Sequence, residues 1–466
     1  MSLLTELFLF LTPEELNKIR RLKVRGKPKE LLELLTNNPV KEEVSKETIT
    51  STLQISDAFF DKLSSQLLAK CYNTIVPEEG YALLNRLCVS AGLTKHFYKE
   101  LQKQVKDLHK LPADKQGEFL RKCMTLILVN VPVMYKDGNV LKQLGDEYIK
   151  CQPENKKDYA TCYVNCKLLF FKTESYFAKS LINEHAQEIE KEIEGRIVLP
   201  ANADEVLLFE YYWFITYFYF AIEAFDKCID ISNTAIEKLS KFKSADNDIN
   251  LTRFNLRLAE LYYFSSRFED SYLLFNKIFN EVPAERIPER GYYRTKFIQI
   301  ALITNNIERA GLLVKDDMAK VGYTNRDMIV IRDVLSYLKY YMYSGDYDTA
   351  FEFLRLGFEK NPKGKMFQYE IELRNIETAY FYLTGDYVTA LQMCERNIKF
   401  LRDHNLNIKN SDFPHYYLII KAIYKLKTTG EEFSEKIQQQ FERYKKGGYA
   451  QYGMLLRRML QQPLQG

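Results

Sequence analysis

Apolar residues recur along nearly the whole chain at spacings of three and four, with few runs of strict alternation and few β-branched clusters. That pattern predicts amphipathic α-helices throughout and no sheet. Short, regular turn signals separate the helices, and no long Pro-, Gly- or Ser-rich stretch marks a linker. Two turns share one pattern, Gly345-Asp346-Tyr347-Asp348-Thr349-Ala350 and Gly385-Asp386-Tyr387-Val388-Thr389-Ala390, 40 residues apart. Each has an aromatic residue opening a helix and a small residue three positions on. The same pairing extends upstream as Ile307 with Ala310, Phe268 with Ser271 and Phe225 with Cys228, so the five openers are spaced by 43, 39, 40 and 40 residues. A small side chain at a fixed place in a helix lets a neighbouring helix cross closely, and the larger residue ahead of it fills the gap beside the crossing. Repetition at this period predicts stacked helix pairs.

The residues at these positions resemble the tetratricopeptide repeat family. Tyr347, Ala350, Leu354, Gly357 and Pro362 follow that family's second-helix pattern, and Phe268, Ser271, Phe275 and Pro283 follow it with Ile278 at a position that is usually small. The family repeat is about 34 residues, so the longer period here predicts helices longer by about a turn. The first-helix tryptophan, leucine and glycine of the family have no counterpart. The resemblance covers residues 203–405. It implies an all-α fold, a right-handed superhelix of tetratricopeptide-like helix pairs of about 40 residues preceded by a small helical domain, with first helices lining a concave groove.

The expected organisation is an N-terminal helical domain over 1–110, irregular helix pairs over 111–200, the repeats over 201–405, and a C-terminal pair with a capping helix over 406–466. Among the irregular pairs, Ala160–Lys172 and Ser175–Glu194 read as two helices, with Tyr176 or Phe177 opening the second. At the other end, Asp412–Lys427 and Glu431–Lys446 read as a pair, and the tail from Tyr449 to Leu460, with Arg457 and Arg458, reads as the polar cap that a solenoid needs.

The first 75 residues depart from the repeat. Thr12-Pro13-Glu14-Glu15 is a helix start, Ser45-Lys46-Glu47-Thr48 starts another, and Ser56 caps a long helix from Asp57 to about Ile75. Ser45 to Leu63 resembles the DNA-binding helix-turn-helix family: Ile49 and Leu53 bury the first helix, Thr50 is the small residue at the crossing, and Ile55 and Phe60 pack the second. Gln54 stands where that family favours glycine. The resemblance implies a segment over 45–75 able to lie against DNA. The exposed face of its second helix would present Asp57, Ala58 and Asp61 with Lys62, and carboxylates oppose phosphate. Upstream, Lys18, Arg20, Arg21, Lys23, Arg25, Lys27 and Lys29 form a basic run with no acid between Glu15 and Glu30, suited to a phosphate backbone or to a solvated face.

Composition narrows the function less than the fold. A net charge of +4 over 466 residues gives no global field toward nucleic acid or membrane. Met1–Phe10 is apolar but carries Glu6 and runs into Thr12-Pro13 without a cleavage site, and the aromatic run Tyr211–Ile222 is too short to span a bilayer. A cytoplasmic, bacterial protein without membrane contact is expected. The same run, with Trp213 in it, reads as a helix of an inner layer. The eight cysteines form no CxxC pair, and Cys162 with Cys166 has no nearby histidine to complete a metal site. No HExxH, Gly-rich phosphate loop or nucleophile elbow occurs, so neither an enzyme nor a cofactor is expected.

If first helices line the groove, it takes Arg253, Arg257 and Glu260 from one repeat, Tyr292, Lys296 and Gln299 from the next, Arg332, Ser336 and Lys339 from the third, then Asn375 and Tyr382. This face is more basic than the chain as a whole and suits a protein or peptide bearing carboxylates. The ordered lysine, asparagine and arginine set with which some tetratricopeptide domains clamp a carboxylate is not reproduced. Two functions remain: a non-enzymatic scaffold or adaptor that binds a partner in the groove, and a transcriptional regulator with an N-terminal helix-turn-helix and a peptide-sensing array.

Overall fold

The computed structural model describes residues 13–37, 46–75, 94–131, 136–321, 330–361, 367–404 and 413–464. Met1–Phe10, Thr12, Glu42, Glu43, Ser45, Cys88, Pro362 and Asp412 lie outside the described residues. The described residues are helical and contain no strand, and the chain divides into two units, 1–222 and 223–466. No described helix is long and apolar enough to cross a membrane.

In the first unit, α1 (Pro13–Arg20), α2 (Lys27–Asn37), α3 (Lys46–Leu53) and α4 (Asp57–Ile75) close around Ile19, Leu31, Leu35, Ile49, Leu53, Phe60 and Leu67, all buried. Ser56 caps α4, its hydroxyl accepting from the Phe59 amide at 3.3 Å. Gln54 takes the left-handed turn between α3 and α4 with φ 50°. After α5 (Thr94–Lys106), the helices α6 (Ala113–Asn130), α7 (Gly138–Lys150), α8 (Lys157–Ala178), α9 (Ile182–Arg196) and α10 (Glu205–Ala221) follow, and α8 packs against α7, α9 and α10. The split expected within 160–194 is corrected here. Tyr176 and Phe177 end the unbroken α8, and Ile182 opens the second helix after the left-handed Ser180 (φ 57°). The aromatic helix α10 exposes none of Tyr211 to Ile222; Tyr212, Phe214, Ile215 and Phe218 are buried, and Trp213 stacks on Phe209 at 5.5 Å.

The second unit opens with α11 (Phe225–Leu239) and continues in pairs: α12 (Ala245–Phe264) with α13 (Phe268–Glu281), α14 (Arg290–Ile303) with α15 (Ile307–Val321), α16 (Ile331–Ser344) with α17 (Tyr347–Lys360), α18 (Phe367–Leu383) with α19 (Tyr387–Asp403), and α20 (Phe413–Thr429) with α21 (Glu435–Arg443). It is a tetratricopeptide-like helical array. Each of the five openers is the first residue of its helix, and Cys228, Ser271, Ala310, Ala350 and Ala390 are each fully buried. At Ser271 the crossing is close enough for its hydroxyl to donate to the Ala259 carbonyl of the paired helix at 2.6 Å.

The turn holds a rule that the two glycines only hint at. Two positions before every opener the backbone is left-handed: Glu223 (φ 59°), Ser266 (φ 65°), Asn305 (φ 60°), Gly345 (φ 88°) and Gly385 (φ 89°). Ser180 stands in the same relation to Ile182, which extends the geometry one pair upstream, in the first unit. The next residue then caps the second helix where it can; Asp346 and Asp386 accept from the Thr349 and Thr389 amides at 3.1 and 3.0 Å. The left-handed position costs an L-residue roughly 1–2 kcal/mol that glycine avoids. Gly385→Ala is therefore expected to lower unfolding stability by about 1 kcal/mol, whereas Ser266→Gly loses nothing from that source; chemical denaturation of both variants checks the pair.

Candidate partner-binding face

The first helices of the second unit, α12, α14, α16, α18 and α20, form one layer, with neighbours in contact from α12 to α18. All eleven residues expected in the groove lie on α12, α14, α16 and α18. Their surroundings divide them into two groups.

On α12 and α14 and at the start of α16, Arg253, Arg257, Tyr292, Lys296, Gln299 and Arg332 are half-buried. Arg257, Tyr292 and Lys296 surround Glu260, whose side chain is 3 % exposed. Its carboxylate accepts from Arg257 at 2.8 Å and from the Tyr292 hydroxyl at 2.5 Å, and Lys296 lies 3.8 Å away. The Lys296 ammonium also sits 5.3 Å from the Phe264 ring and 5.6 Å from those of Tyr263 and Tyr292. Burial pushes the Lys296 pKa below the ordinary lysine value, Glu260 opposes the shift, and neighbouring Lys339 adds to it. Burial and Glu260 together push the Tyr292 phenol up, so it remains a donor at neutral pH. Arg332 lies over the Tyr292 ring at 5.7 Å and 3.7 Å from Asp333.

Behind this face, Arg294 pairs with Asp317 of α15, whose carboxylate also accepts from Tyr337 of α16. This contact ties the layer to its second helices, and sequence reasoning missed it because its members are scattered over 44 residues.

Further along α16 and on α18 the face is closed. Ser336, Lys339, Asn375 and Tyr382 are each no more than 1 % exposed. The element that closes it is α22 (Ala450–Gln461), which packs against α14, α18 and α20. The expectation that the tail caps the end of the array is therefore corrected: it lies along the first-helix layer. Buried Lys339 donates to Glu372 of α18 and to Gln451 of α22, the latter at 2.5 Å. Arg458 donates to the Tyr343 carbonyl, Lys427 to the Met459 and Gln462 carbonyls, and Gln462 to the Leu383 carbonyl at 2.9 Å. Just before α22, the Gly447 amide donates to Ser266 in the α12–α13 turn at 2.9 Å.

Apolar packing supplies the rest of the seat. Tyr452, Met454, Leu455, Leu456 and Met459 are buried, and a Cβ on Gly453 would overlap the Tyr444 carbonyl. The signal was present in the sequence: Met454-Leu455-Leu456, with Tyr452 and Met459, is apolar on more than one face, which a cap with a polar outer side would not be.

The basic run of the first unit is partly engaged locally. Arg20 donates to the Thr36 carbonyl at 2.8 Å, Lys27 pairs with Glu30 at 2.8 Å and Lys29 with Glu33 at 3.5 Å, while Lys18, Arg21, Lys23 and Arg25 are exposed. On α4, exposed Asp57 and Asp61 hold Lys46 at 3.6 and 2.9 Å. Cys162 and Cys166 are both buried, and no group of three or more candidate metal ligands occurs among the described residues.

Glu260 is the carboxylate on which the basic group is organised. Glu260→Gln leaves Arg257 and Lys296 facing each other with less compensation, and is expected to cost about 2–4 kcal/mol in unfolding stability. A cycle with Lys296→Met should recover part of that loss; strictly additive costs would show that the two groups do not interact.

No family model matches the chain, and no curated protein matches it. Among solved structures, the chain is similar to the crystal structure of aspartyl phosphate phosphatase F from Bacillus subtilis, at 15 % identity and a TM-score of 0.43, over 83 % of this chain and 93 % of that one.

Proposed function

We propose that the protein is a non-enzymatic scaffold or adaptor that binds a protein or peptide carrying carboxylates on the open half of its first-helix layer. The observation that carries this reading is the gathering of Arg257 and Lys296 from successive helices at the buried carboxylate of Glu260, with Arg332 of the third helix over the Tyr292 ring and half-buried Arg253 one turn before Arg257 on the same helix. Half-buried guanidinium groups gain most from an added carboxylate, which they bind in a fork and partly out of water. Tyr292 and its neighbouring rings offer the flat apolar contact that accompanies such binding at interfaces. Because α22 covers the far half of the layer, the partner engages a short stretch beside it.

The test is an array of acidic, neutral and basic peptides probed with the full chain. Wild-type protein is expected to retain acidic sequences preferentially, and Arg253→Glu with Arg332→Glu to weaken them at least tenfold while the helical circular dichroism is kept. Unchanged retention by the double variant would remove the assignment to this face.

A second reading, a DNA-binding regulator, draws support from the three-residue turn between α3 and α4, where Gln54 adopts the left-handed conformation suited to the glycine of the helix-turn-helix family. The exposed Lys18, Arg21, Lys23 and Arg25 would contact the phosphates. Against it stands the acidic surface of α4, whose Asp57 and Asp61 hold Lys46. Titration with mixed-sequence duplex DNA at low salt is expected to give weak binding at most, lost when Lys18, Arg21, Lys23 and Arg25 are replaced by glutamine. Tight, sequence-selective binding would overturn the scaffold as the primary reading.

A further inference from the structure

A cavity of about 430 Å³ opens where the distal half of α22 meets the ends of α14 and α16. Its volume falls within the range of small-molecule sites, roughly 300–1,000 Å³. Ile303, Ile307 and Met454 give it an aliphatic wall, and Arg457, Arg458 and Asn305 stand at its polar side with Tyr343 and Gln461. It is separate from the Glu260 face and shares no residue with it.

Two arginines lining one partly buried cavity call for an anion. Among the described residues, neither Arg457 nor Arg458 forms an ion pair with a carboxylate, whereas Arg257, Arg294 and Arg374 of the same layer each do. Arg458 is held in place by donating to the Tyr343 carbonyl and by lying over the Tyr343 ring at 5.6 Å, which leaves its other N–H groups for a ligand. The Nε of Arg457 is buried without an acceptor, and a buried donor without a partner costs about 1–3 kcal/mol. Asn305 is fixed by its left-handed turn, and its side-chain oxygen accepts from the Tyr343 hydroxyl at 3.3 Å, which turns its amide nitrogen to other acceptors.

We infer that this cavity binds a small aliphatic carboxylate, with the carboxylate on Arg457 and Arg458 and the hydrocarbon part on Ile303, Ile307 and Met454. A free short-chain acid and the C-terminal residue of a peptide offer the same group. The lining is drawn half from α22 and half from the α14–α16 region, so an occupant joins the two and holds α22 on the layer. The cavity thereby couples a small ligand to the element that limits the open face.

The test uses the full chain and three probes, namely N-acetyl-leucine, N-acetyl-leucinamide and inorganic phosphate, by titration calorimetry and thermal unfolding. N-acetyl-leucine is expected to bind with one-to-one stoichiometry and raise Tm, the amide to bind at least tenfold more weakly, and Arg457→Gln to weaken N-acetyl-leucine at least tenfold with its helical content unchanged. Isovalerate binding as well as N-acetyl-leucine supports a free acid as the ligand, and binding much more weakly supports a peptide C-terminus. Hydrogen exchange of residues 450–461 should slow in the presence of N-acetyl-leucine. Phosphate binding more tightly than N-acetyl-leucine would overturn the aliphatic carboxylate, and equal binding by wild type and Arg457→Gln would overturn the site. Because these residues lie apart from Arg253 and Arg332, loss of acidic-peptide binding in the Arg253/Arg332 variant leaves this outcome unaffected.

Discussion

An ammonium removed from water has to be matched by acceptors, and Lys339, 1 % exposed on α16, is matched only by joining three helices. Glu372 comes from the next first helix and Gln451 from the C-terminal one. Removing either partner leaves a buried charge whose desolvation costs several kcal/mol. The Lys339 contact thus sets the register between α16 and α18 and the seat of α22 at once. The apolar residues of α22 could slide along an aliphatic surface with little change in energy, whereas a buried ion-and-amide contact fixes one position. The division of the first-helix layer into a closed half and an open half follows from that position.

The array that carries this layer is built from a backbone rule. A left-handed residue two positions before each of the five opener residues reverses the chain, and a small residue three positions into the helix lets the pair cross closely. Only two of the five left-handed positions before the openers are glycine; Glu223, Ser266 and Asn305 bear the strain and are outweighed by the packing around them. Tertiary burial, not local propensity, determines these turns. The period near 40 goes with first helices of 14–20 residues.

The repeat and its openers were legible because a large residue and a small one recur at fixed spacing, and Phe225, Phe268, Ile307, Tyr347 and Tyr387 all begin helices. The groove residues could be placed on their helices for the same reason. What could not be read was which of them stay accessible. Ser336, Lys339, Asn375 and Tyr382 look like solvated first-helix positions until α22 is laid over them, and the contact joining Lys339 to Gln451 spans 112 residues. Tyr176 and Phe177 misled for a different reason: they share the aromatic character of the openers but lack the left-handed residue ahead of them, which instead is Ser180.

The C-terminal helix lies on the first-helix layer and leaves the Arg253–Arg332 face open. Hydrogen–deuterium exchange of the 466-residue chain reads this directly. Amides of residues 450–461 are expected to be protected to the same degree as those of residues 367–383. Exchange of 450–461 within seconds, like that of a solvated tail, would contradict it.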